Sequence, residues 1–99
     1  MTVTTTIEDG KLTLEVEGRL DTTTAPELEK VLKDNLGELK ELELNLEKTV
    51  YVSSAGLRVL LNSQKIMTER EGSLLVTNVS EDVMDVLQIT GFTDIINIQ

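Results

Sequence analysis

The sequence predicts an α/β domain: a mixed β-sheet with helices, its elements in the order ββαβαβαβ. Three observations carry this. Residues 2–18, TVTTTIEDGKLTLEVEG, place apolar residues at every second position on both sides of Asp9-Gly10, the pattern of a β-hairpin. Beyond it, segments with apolar residues at helical spacing alternate with short segments of period two, and that alternation builds a sheet with helical cover. No internal repeat, linker or low-complexity stretch interrupts the 99 residues, which fit one domain over residues 1–99.

The hairpin register follows from its turn. A two-residue turn at Asp9-Gly10 sets Ile7 opposite Leu12, Thr5 opposite Leu14 and Val3 opposite Val16, with the apolar side chains on one face. Residues 22–37, TTTAPELEKVLKDNLG, read as a helix. A threonine can cap its start, Pro26 sits in the first turn, Glu27 and Glu29 suit the positive end, and Gly37 stops it. In residues 38–47 Leu42, Leu44 and Leu46 alternate with Glu41, Glu43, Asn45 and Glu47, which is a strand. A second helix runs from about Ser54 to Glu71, ended by Gly72. Residues 73–78, SLLVTN, read as a short strand with a continuous apolar run, Leu74 to Val76, expected to be buried on both faces. Ser80, with Glu81 and Asp82, opens a third helix closed by Gly91, and FTDIINI (residues 92–98) is the last strand.

Composition excludes several chemistries. The chain has no cysteine and no histidine, which removes disulfides, thiolate catalysis, Cys/His metal sites and serine–histidine catalysis. A serine nucleophile would have only Lys, Asp or Glu as base, and Lys48 and Lys65 show no motif spacing to one. No Ca²⁺ loop or phosphate-binding glycine motif is present. The expectation is a protein that is not an enzyme and needs no cofactor. Its net charge of −9 argues against nucleic acid or an anionic membrane as partner. No apolar run approaches the ~20 residues of a membrane span. The N-terminus lacks a signal-peptide pattern, so a cytoplasmic, bacterial-type protein is expected.

The segment VYVSSAGLRVLL, residues 50–61, is the informative one. Two serines precede a helix whose first turn is Ala55-Gly56, although Gly in a helix costs roughly 1 kcal/mol against Ala. One reading is structural: a serine there caps an orphan N–H. The other is functional. No Glu or Gln completes a capping box, Leu57 standing in its place, and the small first turn leaves a hydroxyl open to another protein. The free N–H groups of a helix start also suit an added phosphate. The helix carries two apolar stripes. Leu57, Leu60, Leu61, Gln64, Met67 and Thr68 are expected to face the sheet. Ala55, Val59, Asn62 and Ile66 lie roughly opposite, to pack on a neighbouring helix or to dock a partner.

VYVSSAGLRVLL, together with EGRLDTTTAPEL (residues 17–28) and SLLVTNVSEDVMDVLQITGF (residues 73–92), resembles the STAS domains of anti-sigma factor antagonists. The resemblance implies a binding module. Its unmodified form captures an anti-sigma factor, commonly a serine kinase, and so frees a sigma factor for transcription. Phosphorylation releases the kinase, and a phosphatase of the PP2C type resets the switch. Carried over by position, the phosphorylated residue is Ser54, with Ser53 the second candidate. Asp21 matches the loop acid of the family. The implied partner surface spreads over Asp21, Ser53, Ser54, Ala55, Gly56, Leu57 and Arg58, and the second stripe adds Val59, Asn62 and Ile66. A monomer or weak dimer is expected. The same architecture also serves as an unphosphorylated adaptor of membrane transporters or lipid-transport ATPases. Two departures stand out. Ser53 occupies the place where many antagonists carry Asp, and the family's final helix is lacking or truncated, since the sequence stops at Gln99.

Overall fold

Asp9 and Gly10, with φ of 51° and 79°, form the hairpin turn, and positive φ at both central positions matches the twist of the strands they join. The computed structural model describes residues 1–99. β1 (Thr2–Glu8) and β2 (Lys11–Leu20) pair antiparallel with Ile7 opposite Leu12, Thr5 opposite Leu14 and Val3 opposite Val16, as the turn requires. α1 (Ala25–Leu36) leads to β3 (Glu41–Asn45), which pairs parallel with the first half of β2. β4 (Thr49–Val52) pairs parallel with the second half of β2, α2 spans Ser54–Glu69, and β5 (Ser73–Thr77) pairs parallel with β3. α3 (Glu81–Ile89) and one 3₁₀ turn (Phe92–Asp94) precede β6 (Asn97–Ile98), beside β5. The sheet runs β1-β2-β3-β5-β6, with β4 attached to β2. No helix is long and apolar enough to cross a membrane.

The observed order is thus ββαββαβαβ, one strand more than expected. β3 and β4 are two strands that share the same neighbour, separated by a turn in which the Glu47 N–H bonds the Asn45 side chain and the Thr49 N–H bonds the Leu46 carbonyl. β4 has no alternating pattern to announce it. Its register slips against Gly18 and Arg19, so Val50 and Tyr51 are both exposed between buried Thr49 and Val52. The last strand is also shorter than expected, because Gly91 at φ 80° turns the chain into the 3₁₀ segment before β6 can begin.

Burial is one-sided. Leu12, Leu14, Val16, Leu42, Leu44, Leu74 and Val76 line one face, each at most 2% exposed, and join α1 and α2 side chains in a single core. The opposite face carries Thr13, Glu15, Glu43, Asn45 and Thr77, with Lys11 paired to Glu43 at 3.0 Å. β5 is therefore buried on one face and not two: Ser73 is exposed and Leu75 half-buried.

A buried hydroxyl bridges the change of neighbour along β2, beside a bond from the Gly18 N–H to the Lys48 carbonyl at 2.9 Å. Pairing with β3 ends at Glu15 and pairing with β4 begins at Gly18. In the gap, Thr49 Oγ1 donates to the Val16 carbonyl at 2.7 Å, with Thr49 only 1% exposed. Thr49→Val keeps the shape and leaves that carbonyl unpaired, so urea unfolding should show a loss of ~1–3 kcal/mol at unchanged m-value.

Candidate functional site

The carboxyl ends of β2 and β4 lie side by side and deliver two segments to one place: the loop from Asp21 to Thr24, and the start of α2. Leu20 pairs with Val52, and the Ser53 N–H donates to the Leu20 carbonyl at 2.9 Å. Crevices at the carboxyl ends of parallel strands are where such sheets place their sites.

The two serines divide the tasks. Ser53, extended at φ −88°, is the N-cap: its carbonyl accepts from the Leu57 N–H at 2.9 Å and its side chain accepts from the Gly56 N–H at 3.4 Å. Ser54 is the first helical residue. It is exposed, its hydroxyl is used in no hydrogen bond of the domain, and the N–H groups of Ser54 and Ala55 precede the first intrahelical bond. Capping and an open hydroxyl, which compete when read from the sequence, are thus met by adjacent residues.

Gly56 has a different purpose from the one its position suggested. It is buried, and a Cβ there would come within 2.8 Å of both the Leu20 carbonyl oxygen and Leu20 Cγ, and 3.0 Å from Val52 Cγ1. The close approach it permits is to β2 of its own chain, not to a partner. Leu57 and Val59 are 7% and 2% exposed and belong to the core, which removes their side chains from the surface expected of them. Ala55 is half-buried, while Arg58, Asn62 and Ile66 are exposed. Of the expected second stripe, Asn62 and Ile66 therefore remain outside, lining an open cavity of about 590 Å³ between α1 and α2. The sheet-facing stripe is rotated from its expected place. Leu61 is 38% exposed, and Ser63, which sequence reasoning did not single out, is buried with its hydroxyl donating to the Val59 carbonyl at 2.8 Å.

Asp21 organises the neighbouring loop. Its Oδ1 accepts from the N–H groups of Thr23 and Thr24 at 3.0 and 3.1 Å, and the Thr24 hydroxyl donates to the Arg19 carbonyl at 2.7 Å. Thr24, the residue before α1, makes no side-chain cap, so the expected threonine cap is absent; the Ala25 N–H bonds the Asp21 carbonyl at 2.8 Å instead. The Thr24 N–H, then the Thr23 N–H and the Thr24 hydroxyl, hold the Asp21 carboxyl below the ordinary value of 3.8, against the opposing effect of partial burial, with a further small pull from Arg19. A depressed carboxyl contributes stability that is present above 3.8 and is lost as pH falls through the folded value. NMR titration should therefore show Asp21 protonating below 3.8, with the Thr23 and Thr24 amide signals moving in step.

Arg19 lies over the Tyr51 ring, 4.2 Å from its centroid, and 3.7 Å from Asp21 Oδ2. Both contacts are at the surface and each is worth at most about 1 kcal/mol. Tyr51 was not among the expected site residues. The β4 register that sets it opposite Arg19 has no signal in the local sequence.

This fold and this helix start define the class: the chain belongs to the STAS domain family, whose model matches residues 2–99. The anti-sigma-B factor antagonist of Staphylococcus aureus is 29% identical over 99 residues, 99% of this chain and 92% of that protein. A crystal structure of an anti-sigma factor antagonist from Mycobacterium paratuberculosis has a TM-score of 0.87 at 21% identity, covering 98% of this chain and 83% of the other. The Bacillus cell fate determinant SpoIIAA in its phosphorylated form has a TM-score of 0.77 at 15% identity, covering 99% and 91%. At these identities the two structures demonstrate a shared fold.

Proposed function

We propose that this chain is an anti-sigma factor antagonist whose grip on its partner is switched by phosphorylation of Ser54. The unmodified domain binds an anti-sigma factor that is also a serine kinase, and so releases the sigma factor. Transfer of phosphate to Ser54 ends the binding, and a PP2C-type phosphatase restores it. The observation that carries this reading is the exposed, unbonded Ser54 hydroxyl at the first position of α2, its capping duty taken by Ser53. The naming of a curated relative as an anti-sigma-B factor antagonist, and the existence of a phosphorylated form of a structural neighbour, support it.

The chemistry is economical. A phosphate adds about −1.5 to −2 charges at pH 7. In the free domain it sits at a helix N-terminus beside two unpartnered N–H groups, a setting that favours a negative charge by ~0.3–1 kcal/mol. Arg58, four positions further on, lies on the same side of α2 and is exposed, free to pair with it. Arg19 is the less available cation because Tyr51 and Asp21 already hold it. The partner surface then comprises Asp21, Ser53, Ser54, Ala55 and Arg58, with Asn62 and Ile66 further along α2. Gly56, Leu57 and Val59 support it from below.

Incubation with the cognate kinase and ATP, followed by peptide mass spectrometry, tests the assignment. Phosphate is expected on Ser54 in the wild type and in Ser53→Ala, and none in Ser54→Ala. Phosphate on Ser53 in the wild type, or elsewhere on the chain, would refute it.

A further inference from the structure

Edge strands are commonly guarded by lysine, proline, a bulge or a covering loop, because their free N–H and C=O groups invite another strand. β1 has none of these along most of its length. Its Thr2–Ile7 stretch is TVTTTI, uncharged before Glu8, and it pairs with β2 through seven residues without a bulge. Its other side has no neighbour in the sheet, and Ile7 is 55% exposed. On a chain of net charge −9 this is an uncharged lane of β-branched residues.

The hairpin decides which backbone groups point outward. A two-residue turn closes on a hydrogen-bonded pair, here Glu8 and Lys11. By alternation Thr6, Thr4 and Thr2 also bond β2, while the N–H and C=O groups of Ile7, Thr5 and Val3 face away from it. Their side chains share the face of Leu12, Leu14 and Val16.

We propose that β1 is a homodimerisation edge, pairing antiparallel with β1 of a second copy about a two-fold axis at Thr5. Among registers that keep the two faces matched, this one alone engages all three outward residues, through six backbone hydrogen bonds. Val3 lies opposite Ile7 of the second copy, Thr5 opposite Thr5, and Thr4 opposite Thr6, so each of these pairs is β-branched on both sides. Such self-complementarity is what a two-fold interface requires. Charge along the strand does not oppose a second copy. Glu8 falls opposite Thr2, and the two Glu8 side chains sit at opposite ends, about 20 Å apart, beyond the screening length of physiological salt. The two six-stranded sheets become one continuous sheet. No residue of the α2 start takes part, so this proposal and the phosphorylation switch stand or fall separately.

Sedimentation velocity on the full chain from micromolar to millimolar concentration should show a shift from 11.0 kDa toward twice that mass. Thr5→Pro removes an outward N–H that no intrachain bond needs, and should leave a folded monomer by circular dichroism. Because the chain has no cysteine, single-cysteine variants report the register. Oxidised Thr5→Cys should yield a disulfide-linked dimer, since a directly opposed pair brings the two Cα atoms within about 5.5 Å, and Thr4→Cys should not. A chain that stays at 11.0 kDa up to millimolar concentration overturns the proposal. So does a dimer that survives Thr5→Pro, or equal cross-linking at both positions.

Discussion

Ser54→Asp should weaken capture of the anti-sigma factor by roughly a thousandfold while leaving the domain as stable as the wild type or slightly more so. The two halves of this expectation have the same origin. In the free domain a carboxylate at the first position of α2 meets the helix N-terminus in water, and is favoured by about 0.3–1 kcal/mol. In the complex it must be desolvated against a surface shaped for a hydroxyl, at a cost of several kcal/mol. Taking about 4 kcal/mol, at ~1.4 kcal/mol per decade, gives the thousandfold loss. Ser54→Ala should bind normally and escape inactivation by the kinase. Ser53→Ala acts on stability instead: it removes a long cap bond of 3.4 Å, lowering stability by ~0.5–1 kcal/mol, and leaves the Ser54 hydroxyl in place for the kinase. Isothermal titration against the cognate anti-sigma factor, with thermal melts of each variant, separates these outcomes. Wild-type affinity in Ser54→Asp would place the switch elsewhere.

Gly56→Ala should lower the melting temperature by on the order of 5–20 °C, although alanine is the better helix former by about 1 kcal/mol. The sign is set by what surrounds the new methyl group. At 2.8 Å it meets the Leu20 carbonyl oxygen, a backbone atom at the end of a central strand that also accepts the Ser53 N–H. Neither side can yield cheaply. Overpacking of this kind costs ~1–3 kcal/mol, and displacing the start of α2 adds the loss of a hydrogen bond worth about 1 kcal/mol. The clash therefore outweighs the gain in propensity. A Gly56→Ala variant that melts at or above the wild-type temperature would mean that α2 does not press on β2 as described.

These two positions also show where a reading of the sequence succeeds and where it stops. An open hydroxyl at the start of α2 was legible because its signal is local: two serines, two small residues and the onset of a helical repeat stand within a few positions. Gly56 was legible as an anomaly but not as a cause. Its reason is Leu20, thirty-six positions earlier in the sequence, brought there by the pairing of β2 with β4. The burial of Val59 is of the same kind. Helical spacing put it on a second stripe, and only the placement of α2 within the core shows that stripe split between inside and outside.

By itself, the sequence determined whatever depends on contacts between near neighbours. Asp9-Gly10 set the hairpin register, Ser80 capped α3 through the Val83 N–H at 3.3 Å, and Gly37 ended α1 with a φ of 49°. Tertiary structure decided β4 as a separate strand, the one-sided burial of β5, and the close approach of Gly56 to Leu20. Each of these turns on a backbone group or side chain finding its partner across the sheet or across a loop. The local sequence states what such a group needs, and only the folded chain states where it finds it.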